Sequence, residues 1–344
     1  MIKKSLLALS FMVALFSCKN SKEIQSQHPT GWQIFETPVK SSLRGLSPLT
    51  DEIAWASGSG GTWMRTIDGG KSWEHGVIAN LDSVDFRSIY AFNAETAIVV
   101  SAGQPAVIYK TTDGGNTWEL KHTASKVAFL DGIDFSDQKS GYVIGDPEVG
   151  KWTILKTFNK GDSWYSVENR PEAVEGEAAF AASATSLVSR GSSIWIGTGG
   201  TESYIHYSND QGTTWQKFKS PLKQGAASQG IFSITSLGSG DIFAIGGDYL
   251  EEDSQEGNSA VFSSTRKEWL RAEVPPTGYR SGIAYFPKNH CLVAVGPSGS
   301  DFSIDGGMNW QLLSAEGFHA IKLSHAGGSV WASGADGKIG KLEF

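Results

Sequence analysis

The chain has 344 residues, with 36 acidic against 29 basic side chains and a formal net charge of −7, so it lacks the basic footprint that nucleic-acid binding requires. Charged residues make up only 19% of it, while 41 glycines and 12 tryptophans suit an all-β protein of many turns and large apolar anchors. Its two cysteines, Cys18 and Cys291, leave no disulfide framework once Cys18 is otherwise committed.

Residues 1–17 read as a bacterial export signal: Lys3 and Lys4 precede an apolar run from Leu6 to Phe16 that is too short for a stable membrane span. Leu15, Phe16 and Ser17 before Cys18 resemble a lipobox, which implies lipidation of Cys18 and attachment to a membrane; an ordinary cleaved signal is the alternative. Residues 18–30 are polar and without apolar period, and are expected to act as a flexible tether. The remaining 31–344 form one domain.

That domain is organised by a repeat. The pattern Ser/Thr-x-Asp/Asn-x-Gly-x-Ser/Thr/Asn-Trp occurs at 66–73, 111–118, 157–164, 208–215 and 303–310. Its fixed residues are Asp68 and Trp73, Asp113 and Trp118, Asn159 and Trp164, Asp210 and Trp215, and Asp305 and Trp310. A shortened copy without the glycine lies at 263–269, ending on Trp269. Successive tryptophans are 45, 46, 51, 54 and 41 residues apart, a period that holds four short strands and marks a β-propeller. Each copy is a hairpin turn, in which glycine takes positive φ and the acidic side chain accepts backbone N–H groups.

A strand ending in small residues recurs seven times, closing on Gly58, Gly103, Gly145, Gly197, Gly246, Gly296 and Gly334. A short apolar strand precedes each, at 43–46, 86–89, 130–133, 180–183, 231–234, 279–282 and 318–321. The expectation is therefore an all-β, seven-bladed propeller of four-stranded antiparallel blades. The last repeat contains only three strands, and the segment at Trp32 and Phe35 resembles a fourth, so it is expected to complete blade seven and remove the open edge. A disordered leader would leave both aromatics without a burial site.

The repeat resembles the Asp-box, or BNR repeat, of sialidases, sortilin-like receptors and the photosystem II stability/assembly factor group. In that superfamily the box is a structural hairpin away from the ligand. Residues 86–89 match the Phe-Arg-x-Ile inner strand of the assembly factors, which implies an assembly chaperone whose arginine cluster meets a partner. Only Arg44, Arg87 and Arg280 carry over, and the photosynthetic role does not transfer with a fold.

The second position of the inner strands reads Arg44, Arg87, Asp131, Ala181, Phe232, Arg280 and His319 around the ring. Guanidinium forks suit carboxylate or phosphate groups, so these residues either bind a ligand at the channel mouth or satisfy one another. Asp146 and Asp248 lie in loops projecting on the same face, the latter opening a long acidic insertion, 247–257; residues 168–177 form a second long loop. The acidic loop lacks calcium-loop spacing, so no metal or other cofactor is expected.

A sialidase-like glycoside hydrolase would use Arg44, Arg87 and Arg280 as its arginine triad and Asp131 as acid, but no Arg-Ile-Pro motif or assignable Tyr/Glu pair accompanies them. Cys291 sits in an apolar strand and reads as a small buried hydrophobe. The reading is a monomeric, lipid-anchored, non-catalytic binding or assembly module of the bacterial cell envelope, facing the periplasm or the outside. It would recognise a protein segment or acidic glycan. A glycoside hydrolase and a purely structural envelope protein are the alternatives.

Overall fold

A computed structural model describes residues 28–344 except 238 and 239. The expected export signal, Cys18 and most of the expected tether lie outside the described residues. Seven sheets of antiparallel strands follow one another along the chain. Their inner strands are Leu43–Pro48, Asp85–Ala91, Leu130–Phe135, Leu187–Arg190, Gln229–Ser236, Gly282–Phe286 and Ala320–Leu323. The ring closes as expected: Gly31–Phe35 pairs antiparallel with Ile339–Glu343, from Gly31 opposite Glu343 to Phe35 opposite Ile339.

Burial explains why the blades stay together. Second strands such as Ala54–Gly58 and Cys291–Gly296 are buried on both faces, because each blade is sandwiched between two neighbours. The apolar clusters accordingly lie between blades; one joins Trp55 and Trp63 of blade one to Phe86, Ile89 and Val99 of blade two. Cys291 is fully buried in such a cluster, and burial pushes its thiol up to about 12, so it carries no thiolate at neutral pH.

All five full Asp-boxes share one hydrogen-bond set. In the first, Thr66 Oγ1 donates to Asp68 Oδ1 at 2.9 Å, the Gly70 amide donates to Thr66 Oγ1 at 2.9 Å, and the Ser72 amide donates to Asp68 Oδ1 at 2.9 Å. Asn159 does the same with its amide oxygen, accepting from Thr157 and the Ser163 amide at 3.0 Å each, so the turn needs an acceptor and not a charge. The box tryptophan reaches the preceding blade: Trp118 packs at 6.0 Å from Trp63 and 6.4 Å from Trp55. In the worn copy, Ser263 pairs directly with Glu268 across a shorter turn.

One expected strand is displaced. Blade four begins at Leu187 and not at 180–183, so Ala181 is not equivalent to Arg44 or Arg87. Residues 181–185 instead turn across the central channel, with Ala184 in the left-handed region at φ 57. Ser183 Oγ donates to Ser281 O in blade six at 2.6 Å, and Thr185 Oγ1 shares a 2.6 Å hydrogen bond with Ser233 Oγ in blade five. The physical reason is the long chain between blades three and four, which docks separately. Glu177–Ala178 pairs with Gly199–Gly200, a short strand bridged to Gly230 of blade five. The channel is thereby divided into two mouths.

Candidate functional site

At the mouth where inner strands begin, the strand register shifts in four blades, between Leu43 and Gly45, Asp85 and Ser88, Leu130 and Gly132, and Ile231 and Ser233. Arg44, Arg87, Asp131 and Phe232 all fall within these bulges. A bulge re-aims a side chain out of the pleat, which explains why this position faces the channel and not a neighbouring blade. Small hydroxyls tie adjacent bulges together: Ser57 Oγ donates to Phe86 O at 2.8 Å, and Ser88 Oγ to Asp131 O at 3.2 Å.

Arg44 and Arg87 are both half-buried and close enough to feel each other. Burial first, then the like charge of Arg87, push the Arg44 guanidinium below its ordinary 12.5. Arg44 Nη1 donates to Ala182 O of the channel turn at 3.0 Å, and Arg87 Nε donates to Asp85 at 2.7 Å. Each fork therefore retains donors free for a ligand. His319 stands beside them, but burial and then Arg44 and Arg87 lower its pKa from 6.5 to about 4, so it is neutral at pH 7.

Arg280 does not join them. It is 1% exposed, and its Nε donates to Asp301 at 2.6 Å, with further bonds to Tyr279 O, Ser298 and Thr277. The expected set of three arginines at the mouth is thus corrected to two, the third being enclosed in a buried ion pair. Asp131 is also fully buried, and among the described residues no side chain hydrogen-bonds its carboxylate, the Ala181 amide being the one donor that favours the ionised form. Burial, then the Asp146 charge, raise its carboxyl well above the ordinary 3.8, against the opposing pull of Arg87.

The two loop carboxylates serve local structure. Asp146 accepts the Ala179 amide at 3.0 Å, and burial raises its pKa. Asp248 is 5% exposed and accepts from Gln229 Nε2 and the Leu250 amide, both at 2.9 Å, which anchors the acidic insertion. In the other long loop, Glu177 is buried against His206 at 2.7 Å and Thr198 at 2.6 Å. Both insertions are built onto the blades and do not hang free.

The sequence reading missed an aromatic wall beside Arg44. Phe180 and Phe232 stack with ring centroids 3.7 Å apart, while Tyr279 and Tyr249 meet Phe232 edge-on at 4.8 and 6.1 Å. Tyr249 remains 44% exposed. Phe232 was visible at the bulge position; its partners come from three different loops, and no local spacing marks them. The mouth thus offers two positive forks next to an apolar aromatic surface, a combination suited to holding a carboxylate and an apolar side chain of one extended segment.

The fold and repeats define the class: a seven-bladed Asp-box propeller. Within that class the chain resembles the photosystem II assembly-factor group. The family described as photosynthesis system II assembly factor YCF48 matches residues 24–128. The photosystem II assembly lipoprotein Ycf48 of Synechococcus sp. strain CC9902 is 23% identical over 310 residues, covering 89% of this chain and 85% of its own. Among solved structures, one described as YCF48 bound to D1 peptide superposes with a TM-score of 0.64 at 17% identity, covering 92% of this chain and 96% of that one. A streptogramin B lyase reaches 0.67 at 16% identity, covering 91% and 97%, so the shared fold by itself does not separate binding proteins from enzymes.

Proposed function

We propose that the protein is a non-catalytic, protein-binding assembly module that holds an acidic segment of a partner at the Arg44/Arg87 mouth. The observation that carries this is the pairing of two half-exposed guanidinium groups beside the Phe180, Phe232 and Tyr249 wall. The relatives named as assembly lipoproteins, and the solved relative bound to a peptide, support a protein segment over a glycan. Sialidase-type chemistry is disfavoured by the site itself: Arg280 is locked to Asp301, and the acid candidate Asp131 has no exposed surface. A lipid on Cys18 would place the module, as a monomer, on a membrane of the cell envelope.

The test uses the full chain carrying Cys18→Ser, which removes the lipid acceptor, on arrays of acidic, neutral and basic peptides. Acidic peptides should bind selectively, and Arg44→Ala/Arg87→Ala should weaken them by about tenfold or more while leaving the melting temperature unchanged. Equal binding by the double variant, or turnover of a fluorogenic sialoside, would overturn the proposal.

A further inference from the structure

The opposite end of the channel holds a cavity of about 700 Å³, within the size range of small-molecule sites. It opens where the inner strands end, and its floor is the channel turn at Ala184 and Thr185. Its walls are chiefly apolar, with Ile133, Ile234, Ile283 and Ile321 among them. Tyr90 stands at one side, its ring 5.0 Å from that of His325 and 4.5 Å from that of Phe135.

The charges in this cavity do not balance. Asp134 accepts from the Ser189 amide at 2.7 Å and from Arg190 at 3.2 Å, so that pair is neutral. Lys322 lines the same cavity, and among the described residues its ammonium makes no hydrogen bond or ion pair. It is half-buried on the last inner strand. Desolvation lowers its pKa; the Asp134 charge opposes this in part and the Arg190 charge adds to it, so no carboxylate is left to Lys322 alone. The apolar cavity is therefore left with one net positive charge. From this charge complementarity, we propose that it is a second binding site, for a small monocarboxylate with an apolar body. The carboxylate would meet Lys322, and the body would lie against the isoleucines and Tyr90. The site is separated from the Arg44 mouth by the turn at 181–185, so it does not depend on the reading given to that mouth.

Titration calorimetry on the full chain carrying Cys18→Ser, with octanoate as probe, tests the site. Octanoate should bind at one equivalent, and octan-1-ol, which has the same body without the charge, about tenfold or more weakly. Lys322→Met should lower octanoate affinity by about tenfold or more, whereas Lys322→Arg should keep it within roughly threefold. Arg44→Ala/Arg87→Ala should leave it unchanged, which separates failure here from failure at the other mouth. Octan-1-ol binding as tightly as octanoate, undiminished binding by Lys322→Met, or no saturation below about 10 mM would each overturn the proposal. The comparison of acid with alcohol is made on the parent protein, so it decides the question even if a Lys322 variant fails to fold.

Discussion

Three residues at equivalent repeat positions, Arg87, Asp131 and Arg280, meet three different fates, and burial decides each. Arg87 keeps a half-exposed fork, Arg280 is enclosed with Asp301, and Asp131 is enclosed with no side-chain hydrogen-bond partner among the described residues. The last is costly at neutral pH, because one backbone donor, the Ala181 amide, does not replace the hydration that an ionised carboxylate loses. The sign follows from the raised pKa: the folded state holds the Asp131 proton above 3.8, where the unfolded chain releases it. Stability therefore falls as pH climbs from 3.8 towards the folded pKa and stays depressed above it. Asp131→Asn imitates the protonated form and removes that slope. In urea titrations it should match the parent below pH 3.8 and exceed it at pH 7. A variant less stable than the parent at pH 7 would show instead that Arg87 holds the carboxylate ionised.

At the scale of the element, the Asp-box turn contains two kinds of glycine. In the box at 303–310, Gly306 and Gly307 both have φ of 80, but only the second is crowded. A methyl on Gly306 would meet nothing within 4 Å, whereas one on Gly307 would come 2.1 Å from the Phe243 ring of blade five. Gly306→Ala should therefore cost about 1 kcal/mol of backbone strain. Gly307→Ala should cost roughly 2–4 kcal/mol, since overpacking against an aromatic between blades is added to the same strain. Urea midpoints of the two variants check this, and equal losses would mean that the turn alone sets the requirement.

These turns were also the most legible part of the sequence, because each is specified within eight residues: hydroxyl, acceptor, glycine and tryptophan at fixed offsets. The inner strands were legible where the spacing to the terminal glycine held. Spacing failed at blade four, where the chain from 168 to 186 pairs with Gly199–Gly200 and then crosses the channel before entering its sheet. The fate of Arg280 was hidden for a related reason: Asp301, which encloses it, lies on a different strand of the blade, outside the repeat position being compared. Local patterns specify hairpins, whereas the contents of a channel depend on which of seven blades face one another.

For the whole molecule, the decisive joint is the one where the first strand meets the last. Gly31–Phe35 supplies the outer strand of blade seven, and its anchors cross between blades. Trp32 Nε1 donates to Ser300 Oγ of blade six at 2.9 Å, Trp32 packs on Phe318 at 4.8 Å, and Phe35 stacks on Trp331 at 5.5 Å. Docking begins ahead of the strand, as the Thr30 amide donates to Glu343 O at 2.8 Å and His28 sits edge-on to Phe302. Without this segment Ile339–Glu343 becomes a bare edge, and both aromatic contacts are lost. An exposed edge pairs with other chains, so the damage should appear as association as well as instability. A chain beginning at Pro38 should melt several degrees lower, at roughly 2 °C for each kcal/mol lost in a domain of this size, and should associate with rising concentration. A synthetic peptide of residues 28–37 should restore both the melting temperature and the parent's state of association, since the edge it fills has one fixed register. If the shortened chain melts as the parent does and associates no more than it, the other six blades close the ring without it. The N-terminal strand would then be a covering on blade seven and not its clasp.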